Sequence, residues 1–111
     1  MDIATKDVVA DGVRILPFVT FCRDAGIPRL VVASSSSLYG HSPERPFRED
    51  QATDRPISPY AASKKAAEEL AHAYHHLYGT SVVALRYFTV YGPAARPDMA
   101  PFRFVQRIVE G

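Results

Sequence analysis

Tyr60 and Lys64 stand four residues apart in a chain of 111 residues, directly after the pair Ser58-Pro59. A serine followed by proline is a strong helix start, with Ser58 as N-cap and Pro59 in the first helical position. Residues four apart on a helix share a face, so the phenol and the ammonium project together. A free phenol keeps its proton to about pH 10. A neighbouring ammonium and a helix N-terminus both favour the phenolate, and a phenolate held in this way can act as a general base. Taken alone, the pair reads more readily as a solvated helix start. A second feature lies upstream, where Ser34, Ser35, Ser36 and Ser37 follow the apolar run Leu30-Val31-Val32-Ala33. Hydroxyls are costly to bury without partners. Placed at a strand end, they can instead pair with a ligand and orient a substrate oxygen; a plain exit from strand to loop is the alternative. His72, His75 and His76 have a spacing that can chelate a metal, but nothing nearby completes the set and His41 is distant in sequence. A solvated polar face is the expectation there, and no metal.

These groups need elements to hold them. Apolar recurrences at three and four predict a helix over residues 9–25, closed by Asp24-Ala25-Gly26 with Gly26 at C′. Pro17, in its middle, should kink it or displace its start. Residues 29–34 are continuously apolar rather than alternating, as in a strand buried on both faces of a parallel sheet. Residues 40–55, rich in Pro, Glu, Asp and Arg, form a long loop. The helix opened by Ser58 should run over 60–78 and stop at Gly79, with Ala62, Ala66, Leu70, Ala73, Tyr74 and Leu77 as its apolar face. Its many alanines imply close approach to a neighbour. A second buried strand is expected over 81–87, then a turn at Tyr91-Gly92-Pro93. A short helix over 101–110 carries Phe102, Phe104, Val105, Ile108 and Val109, and is expected to pack on its own domain rather than stack on bases. The alternation of helix and strand makes the chain α/β with a parallel sheet. In such sheets ligands bind beyond the carboxyl ends of the strands, which here means the serine run and Tyr87-Phe88-Thr89.

Three ordered blocks, Ser34-Ser-Ser-Ser-Leu-Tyr-Gly40, Tyr60-Ala-Ala-Ser-Lys64 and Arg86-Tyr-Phe-Thr-Val-Tyr-Gly-Pro93, resemble the extended short-chain dehydrogenase/reductases, the NAD-dependent epimerase/dehydratase family. A lone Tyr-x-x-x-Lys would be weak, but three blocks in register are specific. The resemblance implies a Rossmann-type doubly wound parallel sheet, of which this chain is expected to be roughly the middle third. The Gly-rich βαβ unit that carries the cofactor pyrophosphate has no counterpart in it, so NAD binding by the 111 residues alone should be weak. Residues 1–111 would then be a partial NAD(P)-binding domain, with 94–111 leading into the substrate-binding region. Val9 stands where the family usually has Asn.

The resemblance further implies that Ser35, Tyr60 and Lys64 are catalytic and that Ser34, Tyr60, Lys64, Tyr87 and Phe88 hold NAD. Ser36, Ser37, Thr89 and Arg96 would contact a UDP-sugar. In that mechanism Tyr60 takes the proton of the sugar 4-hydroxyl, Ser35 holds its oxygen, and a transient 4-keto intermediate is reduced on its other face. The 4,6-dehydratases carry an Asp-Glu pair after the catalytic serine. Here Ser36 and Ser37 stand there, which disfavours dehydration. Thr89 with Arg96-Pro-Asp-Met99 resembles the UDP-glucuronate 4-epimerases, although the second motif also occurs in epimerases of neutral sugars. Arg96 suits a sugar carboxylate through its planar fork; a surface arginine is the plainer reading. UDP-glucuronate or UDP-glucose 4-epimerisation is therefore the expected function. Two alternatives remain at this stage: a remnant that cannot hold NAD and acts as a binding or dimerisation module, and a dehydratase or decarboxylase of the same family. The full-length form is expected to be a homodimer, because family dimers form a bundle from helices like that over 60–78.

Composition agrees with a globular chain: 47% hydrophobic, 23% charged and formal net charge +1. Near-neutral charge gives no reason to expect nucleic acid or an anionic membrane as partner. No apolar run approaches the roughly 18 residues of a spanning helix. One cysteine, Cys22, cannot form an intramolecular disulfide, and a reducing, cytoplasmic location is expected.

Overall fold

A computed structural model describes residues 3–111, with side chains from Arg14 onward. Helix α1 spans Ile3–Asp24, strand β1 Arg29–Ser35, helix α2 Pro59–Tyr78, strand β2 Ser81–Tyr87 and helix α3 Ala100–Glu110. A single 3-10 turn, Ser36–Tyr39, follows β1. The strands pair in parallel, from Arg29 opposite Ser81 to Ser35 opposite Tyr87. Both therefore deliver their carboxyl ends to the same edge.

Local chemistry explains the boundaries. The side chain of Ser58 accepts the Ala61 N–H at 3.1 Å, and Pro59 fills the first turn of α2. Gly26 takes φ +66, a conformation that favours glycine. It closes α1 with two bonds, Gly26 N–H to Arg23 O at 3.0 Å and Ile27 N–H to Cys22 O at 2.9 Å, the pattern of a Schellman cap. Helix α1 begins earlier than expected and continues through Pro17, so the proline does not displace its start. Val9 lies outside the described side chains.

The core forms where α1, α2 and one face of the sheet meet. Val19 and Cys22 of α1, Leu30 and Val32 of β1, and Ala67 and Ala71 of α2 are buried there. Small side chains at 67 and 71 let the two helices approach closely, as the alanine content implied. The face of α2 that does this differs from the expected one. Ala61, Ala67 and Ala71 are buried; of the expected face, Tyr74 packs against the core and Leu70 is half-buried, whereas Ala62, Ala66, Ala73 and Leu77 are exposed. Alanine is too common in this helix for apolarity alone to pick the inward face.

Two further expectations are corrected. The strands are covered on one face only. Val31, Val83 and Leu85 on the other face are 64%, 52% and 39% exposed, because α2 and α1 pack on the same side and no described element lies opposite. Helix α3 buries none of its residues. Its apolar side, with Ile108 and Val109, faces outward rather than onto the domain. Among the described residues no helix is long and apolar enough to cross a membrane.

Candidate active site

The carboxyl ends of β1 and β2 and the start of α2 enclose a cavity of about 590 Å³. The ten residues singled out in the sequence all line it: Ser34, Ser35, Ser36 and Ser37 from the end of β1, Tyr60 and Lys64 from α2, Tyr87, Phe88 and Thr89 from the end of β2, and Arg96 from the segment beyond. Ala33, Val90, Ala95 and Met99 complete the wall. None of these four has a polar side chain, so none was a candidate site residue, although Val90 and Met99 lie within the blocks quoted above.

Ser35 caps the 3-10 turn; its Oγ accepts the Ser37 N–H and donates to Ser37 Oγ, both at 3.2 Å. Tyr60 is 40% exposed, and the Lys64 Nζ lies 5.8 Å from the centre of its ring. The shared face of the helix thus brings ammonium and phenol together at the cavity wall. Tyr87 and Phe88 present half-exposed aromatic rings. Arg96 is outward, and its guanidinium is bound by Asp98, with Nε to Oδ1 at 3.0 Å. That hydrogen bonding favours the charged forms of both partners, so a sugar carboxylate binding Arg96 would exchange one carboxylate for another.

Ser34 is 4% exposed. Its Oγ is close enough to the Glu68 carboxyl to favour its ionised form, yet it closes no hydrogen bond within the protein. This hydroxyl lies in the cavity wall. Hydroxyls, an ammonium, a phenol and two flat aromatic surfaces match the ribose hydroxyls and planar ring of a nicotinamide nucleotide, so the residues present fit NAD. Among the described residues no group of three or more His, Cys, Asp or Glu is placed to hold a metal ion. His75 instead donates from Nδ1 to Thr80 O at 2.8 Å, tying the end of α2 to the start of β2.

Sequence reasoning missed the ionic node beneath the cavity. Arg86 holds Glu68 through Nε to Oε1 at 2.9 Å and Nη2 to Oε2 at 2.8 Å. The pair is largely buried, at 11% exposure for Glu68 and 18% for Arg86. Burial works against the charge on Glu68, but the Arg86 fork prevails and holds its carboxyl below the usual value. The available signal was positional: Glu68 is four residues beyond Lys64, and Arg86 immediately precedes the cavity-lining Tyr87.

The family model described as the NAD dependent epimerase/dehydratase family matches residues 7–111. The chain belongs to this family. It is 55% identical over 96 residues to a UDP-glucuronate 4-epimerase of Thermodesulfobacterium geofontis, covering 86% of this chain and 29% of that protein. Among solved structures it is similar to the UDP-glucuronic acid 4-epimerase of Bacillus cereus in complex with UDP-glucuronic acid and NAD. The TM-score is 0.77 at 35% identity, over 90% of this chain and 31% of the other. A dTDP-glucose 4,6-dehydratase of Streptomyces venezuelae with NAD bound is also similar, with TM-score 0.70 and 34% identity over 84% of this chain and 29% of the other. The chain therefore spans less than a third of the length of these relatives. The family's doubly wound α/β architecture accounts for the parallel pairing of β1 and β2.

Proposed function

We propose that the chain carries the acid–base half of an NAD-dependent nucleotide-sugar 4-epimerase site, with UDP-glucuronate as the leading substrate and UDP-glucose next. The observation that carries this reading is the convergence of Ser35, Tyr60, Lys64 and the Tyr87-Phe88-Thr89 segment on one cavity. In this mechanism Tyr60 removes the proton of the sugar 4-hydroxyl and later returns it to the 4-keto oxygen. Lys64 stabilises the phenolate and would hold the ribose of a bound NAD. Ser35 donates to the oxygen at C4 and keeps it in line with Tyr60. A bound NAD would supply the hydride acceptor, and later the hydride donor, for C4. Ser34, Tyr87 and Phe88 line the side where the nicotinamide would lie, while Ser36, Ser37, Thr89 and Arg96 contact the sugar. Ser36 and Ser37 offer no carboxylate, so nothing beside Ser35 serves as the acid that water elimination requires; this supports epimerisation over dehydration. The identity to UDP-glucuronate 4-epimerases supports the acidic sugar, and Arg96 supplies a cation for its carboxylate.

The test supplies the intact protein and NAD⁺ with UDP-glucuronate and UDP-glucose in parallel, and follows the sugar protons by NMR. The C4 epimer of UDP-glucuronate is expected to accumulate. Loss of water from either substrate, or no change in both, would overturn the reading.

A further inference from the structure

Tyr60, Lys64 and Glu68 follow one another at four-residue intervals along α2, so the stripe that bears the base and its ammonium continues to a carboxylate. That carboxylate is bound by both arms of Arg86. Arg86 does more than pair with it. Its Nη1 donates to the Tyr39 hydroxyl at 3.2 Å and to Glu49 O at 3.3 Å, and its guanidinium lies 5.2 Å from the centre of the Tyr39 ring. Tyr39 ends the turn that Ser35 caps. It stacks on Phe47 at 4.4 Å, and Arg45 stands 3.8 Å from the centre of Phe47. Phe88, two residues beyond Arg86, completes the aromatic group at 6.4 Å from Tyr39 and 5.8 Å from Phe47. One ionic node therefore joins α2, the exits of both strands and the 40–58 loop.

We propose that Glu68 and Arg86 are positioning residues, whose fork, backed by Tyr39, holds the Ser35 turn and the Tyr87-Phe88 segment against the Tyr60 stripe of α2. The assignment to catalysis rests on the epimerase reading of the cavity; the geometric coupling does not. A largely buried ion pair is a poor route to stability compared with apolar packing, because desolvation offsets most of its attraction. What a two-point fork adds is a fixed direction and distance. Here the direction runs between the two elements that must meet at the cavity, and the same guanidinium reaches a third segment through Tyr39.

The experiment uses the six tyrosines of the chain, labelled with ¹³C at the ring carbon bearing oxygen, with Tyr60 assigned through Tyr60→Phe. Tyr74 and Tyr78 are internal controls, since they bond to Thr20 and Arg23 at the other end of α2. In Glu68→Gln the Tyr39, Tyr60 and Tyr87 resonances are expected to move while Tyr74 and Tyr78 stay at their wild-type positions. Movement of Tyr39 alone would mark a local contact and overturn the proposal, as would no movement at all. Should Glu68→Gln collapse all six to one unfolded position, Glu68→Asp is read by the same criterion; collapse of both variants would make the pair purely structural and also overturn it. In turnover by the intact protein, Glu68→Gln should lower kcat about tenfold and leave KM within about twofold, the signature of lost positioning rather than lost binding. The two readings fail separately. Moved resonances without turnover would end the epimerase reading and leave the node standing, whereas turnover with Tyr60 unmoved would end the node alone.

Discussion

Arg86 meets Glu68 through two hydrogen bonds of 2.9 and 2.8 Å, linking the carboxyl end of β2 to the middle of α2. The link lies one helical turn below Lys64, so the scaffold of the cavity and its candidate base share one helix.

This pair makes stability depend on pH with a definite sign. Arg86 holds the Glu68 carboxyl below its ordinary value of 4.5 in the folded chain. A carboxyl depressed by folding contributes in full above its unfolded value, and the contribution is lost as pH falls through the lower folded value. Glu68→Gln should therefore cost about 2 kcal/mol at neutral pH, in the range of a lost charged hydrogen bond. The gap from wild type should close as pH drops below 4.5. Urea midpoints at pH 7 and about pH 3 measure it, and a gap that stays constant would count against the pair.

The start of α2 gives a second test. Ser58 Oγ satisfies the Ala61 N–H, and Tyr60 stands in the turn that this bond fixes. Ser58→Ala should cost about 1 kcal/mol. Ser58→Asp, which can still accept the bond, should recover most of that loss in the same thermal melts.

Exposed apolar surface predicts association. Val31, Val83 and Leu85 on the open sheet face and Ile108 and Val109 on α3 leave more than scattered hydrophobic residues in solvent, and surfaces of that kind seek partners. Light scattering of the 111-residue chain should show species larger than a monomer, reduced by Leu85→Lys with Ile108→Glu. A clean monomer of the unaltered chain would contradict this.

The sequence announced the parts of this fold that depend on local chemistry. Ser58, Pro59 and Gly79 bounded α2, Gly26 closed α1, and the continuous apolar runs gave both strands and their parallel pairing. Ser34 to Ser37, Tyr60 and Lys64 were legible because hydroxyl, phenol and ammonium groups cluster at a strand end and a helix start, and Tyr87-Phe88-Thr89 because they leave the second strand; Arg96 came only from the family resemblance. What escaped was everything decided by tertiary placement. Ala62 and Ala67 are chemically the same, so only packing against Val19 and Cys22 distinguishes exposed from buried. Val31 is as apolar as Val32, yet no described element covers it. Glu68 looks like any solvated helix glutamate until Arg86, 18 residues later, reaches back to it.

Ser35 should separate binding from chemistry. Its hydroxyl both caps the turn and faces the cavity, so Ser35→Thr, which keeps the oxygen, should retain most activity. Ser35→Ala should lower kcat by roughly 10²-fold, the scale of one lost oxyanion-type donor. Equal activity in the two variants would remove Ser35 from the chemistry.

The central claim is that Tyr60 moves the proton at the sugar oxygen, and Tyr60→Phe tests it most directly. With NAD⁺ and UDP-glucuronate, the intact wild-type protein should form the C4 epimer. The variant, which lacks only the phenolic oxygen, should be slower by about 10²–10⁴-fold, the usual contribution of a positioned acid–base group, while its tyrosine NMR spectrum shows the fold unchanged. Epimerisation by Tyr60→Phe at the wild-type rate would contradict the account.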